Sequence, residues 1–375
     1  MSCINYNTYK HFNFKLIVTS FFVATFLALF TPAAFAAGAS NYLNMPGPFY
    51  QDIGYMGAGG AGVATTADAN AVFYNPAGLA EIQNISFALV NVQAEGSTAL
   101  FQGTSYLNNG SFYNDLKAAS QYNGDILGIG LDDYSYFAMH DFSVGVIINT
   151  AAYANPEVPA TITSPTTPIG SVAARGDAGG VIGLSHQFDV GNGLDIGGSL
   201  FVMNQYLYNN PAINMNNTQS LSLKSFDSGF GIMGNLGAQY HILKNSLIDW
   251  TGGVSEASLG TADFGAAGTL PEMTNVGTGV KIYPGFGHFT ADVDYDDVFN
   301  QLGFSTLYHV AAGIHYDFPW NIFGLSLGVF QGQPTFGADL NLKLVRIQAA
   351  EWTMAAYENI PANRMVGVQA SIGWL

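Results

Sequence analysis

Apolar and polar residues alternate with a period of two along most of this chain, the pattern of strands with one apolar face. In 286–296, "FGHFTADVDYD", Phe289, Ala291, Val293 and Tyr295 share one side, and His288, Thr290, Asp292, Asp294 and Asp296 share the other. Segment 335–344 sets Phe336, Ala338, Leu340, Leu342 and Leu344 against Thr335, Asp339, Asn341 and Lys343. Segment 142–149 sets Phe142, Val144, Val146 and Ile148 against Ser143, Gly145 and Asn149. Read throughout, the pattern predicts 14 strands: 85–95, 134–140, 142–154, 173–188, 194–208, 229–241, 247–257, 271–283, 286–297, 306–317, 321–330, 335–346, 349–358 and 364–375.

A soluble sandwich shows the same alternation, so connection lengths are the better guide. Long polar links at 96–133, 155–172, 209–228 and 258–270 are interleaved with tight ones at His140–Asp141, 190–193, 242–246 and 283–287. Short turns on one rim and long loops on the other are the signature of a transmembrane antiparallel β-barrel. An even strand count puts both barrel ends on the short-turn side. No fixed period recurs, which excludes a repeat architecture.

Composition fits. Only 10% of the 375 residues are charged, 45 are glycine and 14% are aromatic. No apolar run long enough for a transmembrane helix follows residue 36, so the apolar residues are spread thinly over many strands. Residues 1–36 read as a secretory signal: Lys10 and Lys15 precede an apolar run at 16–30, and Ala34-Phe35-Ala36 ends in A-x-A, predicting cleavage after Ala36. The 339 residues that remain of the 375 contain no cysteine, since the one Cys is Cys3. Their 8 Lys+Arg against 26 Asp+Glu argue against nucleic acid as a partner. A Gram-negative-type outer membrane, with its lipid, is the expected location. The C-terminal strand places Val366, Val368, Ala370, Ile372 and Trp374 on one face, similar to the strand endings that barrel-assembly machinery reads.

The stretch 56–82, "MGAGGAGVATTADANAVFYNPAGLAEI", contains the glycine spacing of a dinucleotide loop. A nucleotide site needs a strand before the glycines and a helix after them. Pro46 and Pro48 stand on the first side, and Asn75-Pro76 breaks any long helix on the second. The segment instead resembles the N-terminal segment of the FadL/TodX-type (long-chain fatty acid transporter) superfamily of outer-membrane barrels. The resemblance rests on Gly57, Gly59, Gly60 and Gly62, then Asp68, Ala69 and Ala71, then Asn75, Pro76, Ala77, Gly78 and Leu79. Residues 292–300 and 324–342 are similar to the TraF-like and PorV-like branch of that superfamily. The resemblance implies a barrel of about 14 strands at 84–375, closed by an N-terminal hatch at 37–83. Small residues and a fixed Asn-Pro turn suit a hatch packed in a narrow lumen. The bland alternative for the glycines is a flexible linker.

Other chemistry is weaker. "GLSLG" (324–328) matches a hydrolase nucleophile elbow, but Ser326 sits in a continuous strand pattern, and His309 and His315 share a face of the preceding predicted strand. Asp292, Asp294 and Asp296 start like a calcium loop, yet Asp297 stands where glycine is required, so a solvated acidic stripe is expected. No catalytic residue, cofactor or metal ligand set is predicted. The loop 106–133, with a short helix near 113–121, offers Phe112, Tyr113, Leu116 and Lys117 either to an apolar ligand or to packing of the loop onto the barrel mouth.

The resemblance implies passive uptake of hydrophobic small molecules such as long-chain fatty acids. Few basic residues are available for a carboxylate, so a neutral ligand is equally compatible. The alternative reading is a structural or secretion-accessory barrel that holds a secretion-system partner and transports nothing.

Overall fold

The computed structural model describes residues 49–103, 127–156, 164, 167, 170–213, 226–354 and 362–374. The predicted signal, hatch residues 37–48 and the loop residues Phe112, Tyr113, Leu116 and Lys117 lie outside them.

Among the described residues there are sixteen strands: β1 (Ser86–Ser97), β2 (Leu127–Met139), β3 (Phe142–Pro156), β4 (Gly170–Phe188), β5 (Leu194–Ile213), β6 (Asp227–Lys244), β7 (Ile248–Ala257), β8 (Ala262–Asp263), β9 (Thr269–Leu270), β10 (Met273–Ile282), β11 (His288–Tyr295), β12 (Val310–Asp317), β13 (Phe323–Phe330), β14 (Gln333–Asn341), β15 (Val345–Met354) and β16 (Asn363–Trp374). Fourteen of them close an antiparallel barrel in chain order, β1 pairing with β16; β8 and β9 make a separate hairpin. Closure removes the free sheet edges that an open sheet would expose.

The alternating pattern sorts the two faces as expected. Val146, Ile232, Phe230 and Ile372 point outward and are more than half exposed, a wall suited to lipid. Among the described residues no helix is long and apolar enough to cross a membrane. Among the inward positions of β10 to β16, Asn275, Asp292, Asp294, Ser326, Thr335, Asp339, Gln348 and Gln369 are polar and buried, while Phe330, Trp352 and Met365 form a small apolar cluster with Ile53 and Met56.

The wall from β2 to β6 departs from the polar lumen that the sequence suggests. Tyr134, Ile147, Val181, Phe201, Met203 and Met233 point inward and form one apolar cluster with Tyr50, Val72, Phe73, Tyr74 and Leu79. Link 258–270, expected to be a polar outer loop, folds back as the β8–β9 hairpin and adds buried Phe264 to that cluster. Strand β2 begins seven residues before the predicted Tyr134, at Leu127. On the long-loop rim, β13 and β14 are joined by Gln331 and Gly332 alone, a tight exception to the loop rhythm. Strand β12 is shorter than predicted: His309 ends a 3-10 turn (Thr306–His309), so it does not share a strand with His315.

Segment 49–82 lies inside this cylinder. It contains helices α1 (Ile53–Gly57) and α2 (Ala71–Tyr74) and a 3-10 turn at Pro76–Glu81. Its residues reach all fourteen barrel strands, from Gln51 bonded to Gln93 on β1 round to Ile53 bonded to Gln369 on β16. Only a segment within the lumen can do so.

Candidate functional site: the plugged lumen

Helix α1 begins where the Asp52 carboxylate accepts the Gly54 and Tyr55 N–H groups at 2.9 and 3.4 Å. Gln369 on β16 holds the same turn from the wall. Its Oε1 accepts the Ile53 N–H at 3.1 Å, and its Nε2 donates to Asp52 at 2.9 Å. The chain then reverses through Gly59 and Gly60, both left-handed at φ 78° and 75°, a conformation that favours glycine.

The glycine loop cradles a carboxylate that the barrel wall supplies. Asp294 Oδ2 on β11 accepts the N–H of Gly62 at 2.6 Å and of Val63 at 2.9 Å. Successive backbone N–H groups form such anion cradles. Two residues before it, Asp292 accepts the Thr65 hydroxyl. The stripe expected to be solvated is therefore buried and bonded to the plug. Beyond the strand end, burial and then the neighbouring Asp297 push the Asp296 carboxyl up to about 7.

Glycines on the wall meet the plug's backbone directly. A Cβ on Gly337 would lie 2.8 Å from the Gly57 Cα, one on Gly313 2.0 Å from the Ala58 carbonyl oxygen, and one on Gly328 2.4 Å from the Gly59 nitrogen. On the opposite side, Gly197 and Gly253 face the backbone of Pro76 and Val63 in the same way, and Gly237 faces the Asn75 side chain. Much of the glycine in the strands makes room for the plug.

Asn75 is fully buried and does more than turn the chain. Its Oδ1 accepts the Ala77 N–H at 3.1 Å, while Nδ2 donates to Val63 O at 2.7 Å and lies 3.2 and 3.3 Å from Ala238 O and Val254 O on the wall. Pro76 starts the 3-10 turn, Ala77 is fully buried, and a Cβ on Gly78 would sit 2.0 Å from Thr66 O. Asp68 accepts the Asn70 N–H at 2.9 Å. Burial, then the Asp52 carboxylate, push the Asp68 carboxyl up to about 6, against the pull of Arg346.

Sequence reasoning missed the cluster that ties the plug's far end to the short-turn rim. His241 Nδ1 lies 2.7 Å from Asp249, and its Nε2 lies 3.1 Å from Asp195 and 3.2 Å from Glu81. Lys244 donates to Glu81 at 2.8 Å, and Gln187 does so at 3.0 Å. Burial opposes ionisation of Glu81, but hydrogen bonds from His241 and Lys244 outweigh it and hold the carboxyl well below its usual range. The ligand atoms of Glu81, Asp195 and His241 lie within 4.8 Å of one another, as do those of His315, Asp317 and Asp339. In the first group the Lys244 ammonium, 3.3 Å from His241 Nε2, already supplies the positive charge. The signal available in the sequence was charge at strand ends on the inward parity, in a chain that carries little of it.

In the second group, His315 Nδ1 meets Ser326 Oγ at 2.8 Å, and its Nε2 lies 3.2 Å from Asp317. Ser326 nonetheless sits in the uninterrupted strand β13, without the sharp turn that exposes a nucleophile, and its side chain is covered by Gly57.

Two cavities flank the plug. One of about 130 Å³ lies toward the long-loop rim, between Phe49 and Gln51 of the plug and wall residues including Glu95, Asp132, Arg175, Met273 and Trp352. The other, about 250 Å³, runs between α1 and the wall past Asp68, Lys281, His315 and Arg346. The plug's residues 51–52 stand between them, Gln51 lining the first and Asp52 the second.

An apolar outer wall, a closed fourteen-strand cylinder and a lumen stopped by the chain's own N-terminal segment define a plugged barrel of outer-membrane type. Its fold is that of the toluene transporter TodX of Pseudomonas putida: 12% identity, TM-score 0.50, covering 88% of this chain and 99% of that one. A deletion mutant of the TodX monoaromatic hydrocarbon channel is similar at 12% identity and TM-score 0.54, covering 89% and 99%. The resemblance seen in the glycine and NPAGL motifs thus holds at the level of fold. No family profile and no curated protein matches the sequence.

Proposed function

We propose that this chain is an outer-membrane channel for passive uptake of small hydrophobic molecules, with residues 37–83 as its hatch. The observation that carries the reading is segment 49–82 reaching every strand of the barrel while leaving a cavity on each side. A ligand entering from the long-loop rim meets the 130 Å³ cavity first and passes to the second when α1 shifts. The fold shared with channels named for toluene and monoaromatic hydrocarbons supports a compact hydrophobic cargo. An extended fatty acid suits it less, because a cavity near 150 Å³ accommodates about one benzene ring.

Deleting 37–83 tests this. The strands carry their own hydrogen-bond ladder, so the truncated barrel should assemble, conduct more in planar bilayers and admit toluene faster into vesicles. An assembled truncation that conducts no more than the full chain and admits no toluene would overturn the reading in favour of an accessory barrel.

A further inference from the structure

The cavity toward the long-loop rim is chemically two-sided, and its polar side sets three carboxyl groups and the Gln93 amide beside Arg175, Asn149 and Tyr153. Gln93 is 2% exposed, and its Nε2 donates to Gln51 O at 3.0 Å and to Asp132 Oδ2 at 2.9 Å. Both partners are acceptors, which fixes the orientation of the amide. Gln93 Oε1 is thereby left buried with no donor among the described residues. A buried acceptor without a partner costs free energy until something supplies one.

Glu95, beside it on the same cavity wall, accepts no hydrogen bond from the described residues. Asp132 is satisfied, its other oxygen taking the Thr150 N–H at 2.6 Å. The lining holds three carboxyl groups, Glu95, Asp132 and Asp177, against one guanidinium, Arg175. Arg175 is engaged by Asp177 at 2.7 Å and stacks 4.9 Å over the Phe49 ring. The opposite wall is apolar, with Met273, Phe330, Trp352 and Met354.

We propose that this cavity selects a ligand of about one ring that carries a hydrogen-bond donor, a hydroxyl or an amine. The donor would meet Gln93 Oε1 and Glu95, and the apolar body would lie against Trp352 and the methionines. Carboxylates bind more weakly, because three carboxyl groups line this confined site against one guanidinium that Asp177 already engages. The proposal rests on the uptake reading and adds the polarity of the cargo to it.

The test is calorimetric binding of p-cresol, toluene and 4-methylbenzoate to the full-length protein in detergent. All three carry one ring and one methyl group. Cresol is expected to bind at least ~10-fold more tightly than toluene, because toluene leaves the buried acceptor unpaired. The benzoate should bind most weakly. Glu95→Gln, isosteric and uncharged, should narrow the gap between cresol and benzoate by raising benzoate binding. Gln93→Met should bring cresol down to toluene's affinity, with heat-modifiable gel migration confirming that the variant is folded. Equal affinity of wild-type protein for cresol and toluene overturns the proposal, as does benzoate binding as tight as cresol. Vesicle entry of toluene separates this from the uptake reading. Toluene flux without cresol preference overturns only the donor selection, whereas absence of flux with the hatch deleted overturns uptake itself.

Discussion

The Asp294 carboxylate on β11 accepts the Gly62 N–H at 2.6 Å, joining a wall residue to a plug residue 232 positions away. With the Val63 N–H beside it at 2.9 Å, one carboxylate satisfies two backbone donors that have no ladder partner. Asp294→Ala should therefore loosen the plug and leave the cylinder intact. Each donor left buried and unpaired costs about 1–3 kcal/mol, and each 1.4 kcal/mol shifts an equilibrium about tenfold. Single-channel recording should show opening at least ~10-fold more frequent, with unchanged heat-modifiable migration. Wild-type conductance in an assembled Asp294→Ala barrel would show that this contact does not hold the plug.

Glycine–glycine contact between wall and plug gives a second prediction. A Cβ at Gly337 would lie 2.8 Å from the Gly57 Cα, whereas one at Gly176 meets nothing within 4 Å. Gly337→Ala should displace α1, at a cost of about 1–3 kcal/mol for overpacking, and raise conductance. Gly176→Ala should leave conductance at the wild-type level, and a matched pair would contradict the contact.

The lipid face is tested by a pair on one strand. Val293 points outward and is 54% exposed, while Thr290 lines the inner cavity. Val293→Arg should reduce the folded fraction, since a basic residue at the bilayer midplane costs roughly 2–4 kcal/mol. Thr290→Arg should assemble nearly as well as wild type. Folding into vesicles followed by gel shift reads both.

Two plug carboxyls titrate in opposite directions. The Asp68 carboxyl, raised to about 6, faces Asp52, Tyr55, Lys281 and Arg346. A raised carboxyl penalises docking when ionised, so the docked plug gains stability as pH falls through about 6 toward the ordinary value near 4. Glu81, held low by His241 and Lys244, stabilises docking above the ordinary carboxylate value and loses that contribution as pH falls below it. Channel openings should become rarer between pH 7 and 5, then more frequent below about pH 4. Asp68→Asn should abolish the first trend, and Glu81→Gln the second.

The alternation of Val293 with Asp292 and Asp294, and of Val144 with Ser143, together with the rhythm of short and long links, gave the barrel, its strand number and its lipid face. Those properties depend on local parity and loop length, which one strand and its turn express alone. The NPAGL and glycine motifs likewise marked the plug before any contact was known. What the sequence hid is which carboxylate meets which glycine. Asp294 read as a solvated stripe because its partners lie 232 and 231 residues away, and no local pattern encodes such a pairing. Tyr134, Phe201 and Met233 fall on the inward parity, yet only the docked plug makes an apolar lumen favourable there. The His241–Glu81 tie and the two-sided cavity arise in the same way. They are properties of barrel closure, which brings strand ends far apart in the chain around one enclosed segment, and so only the tertiary structure decided them.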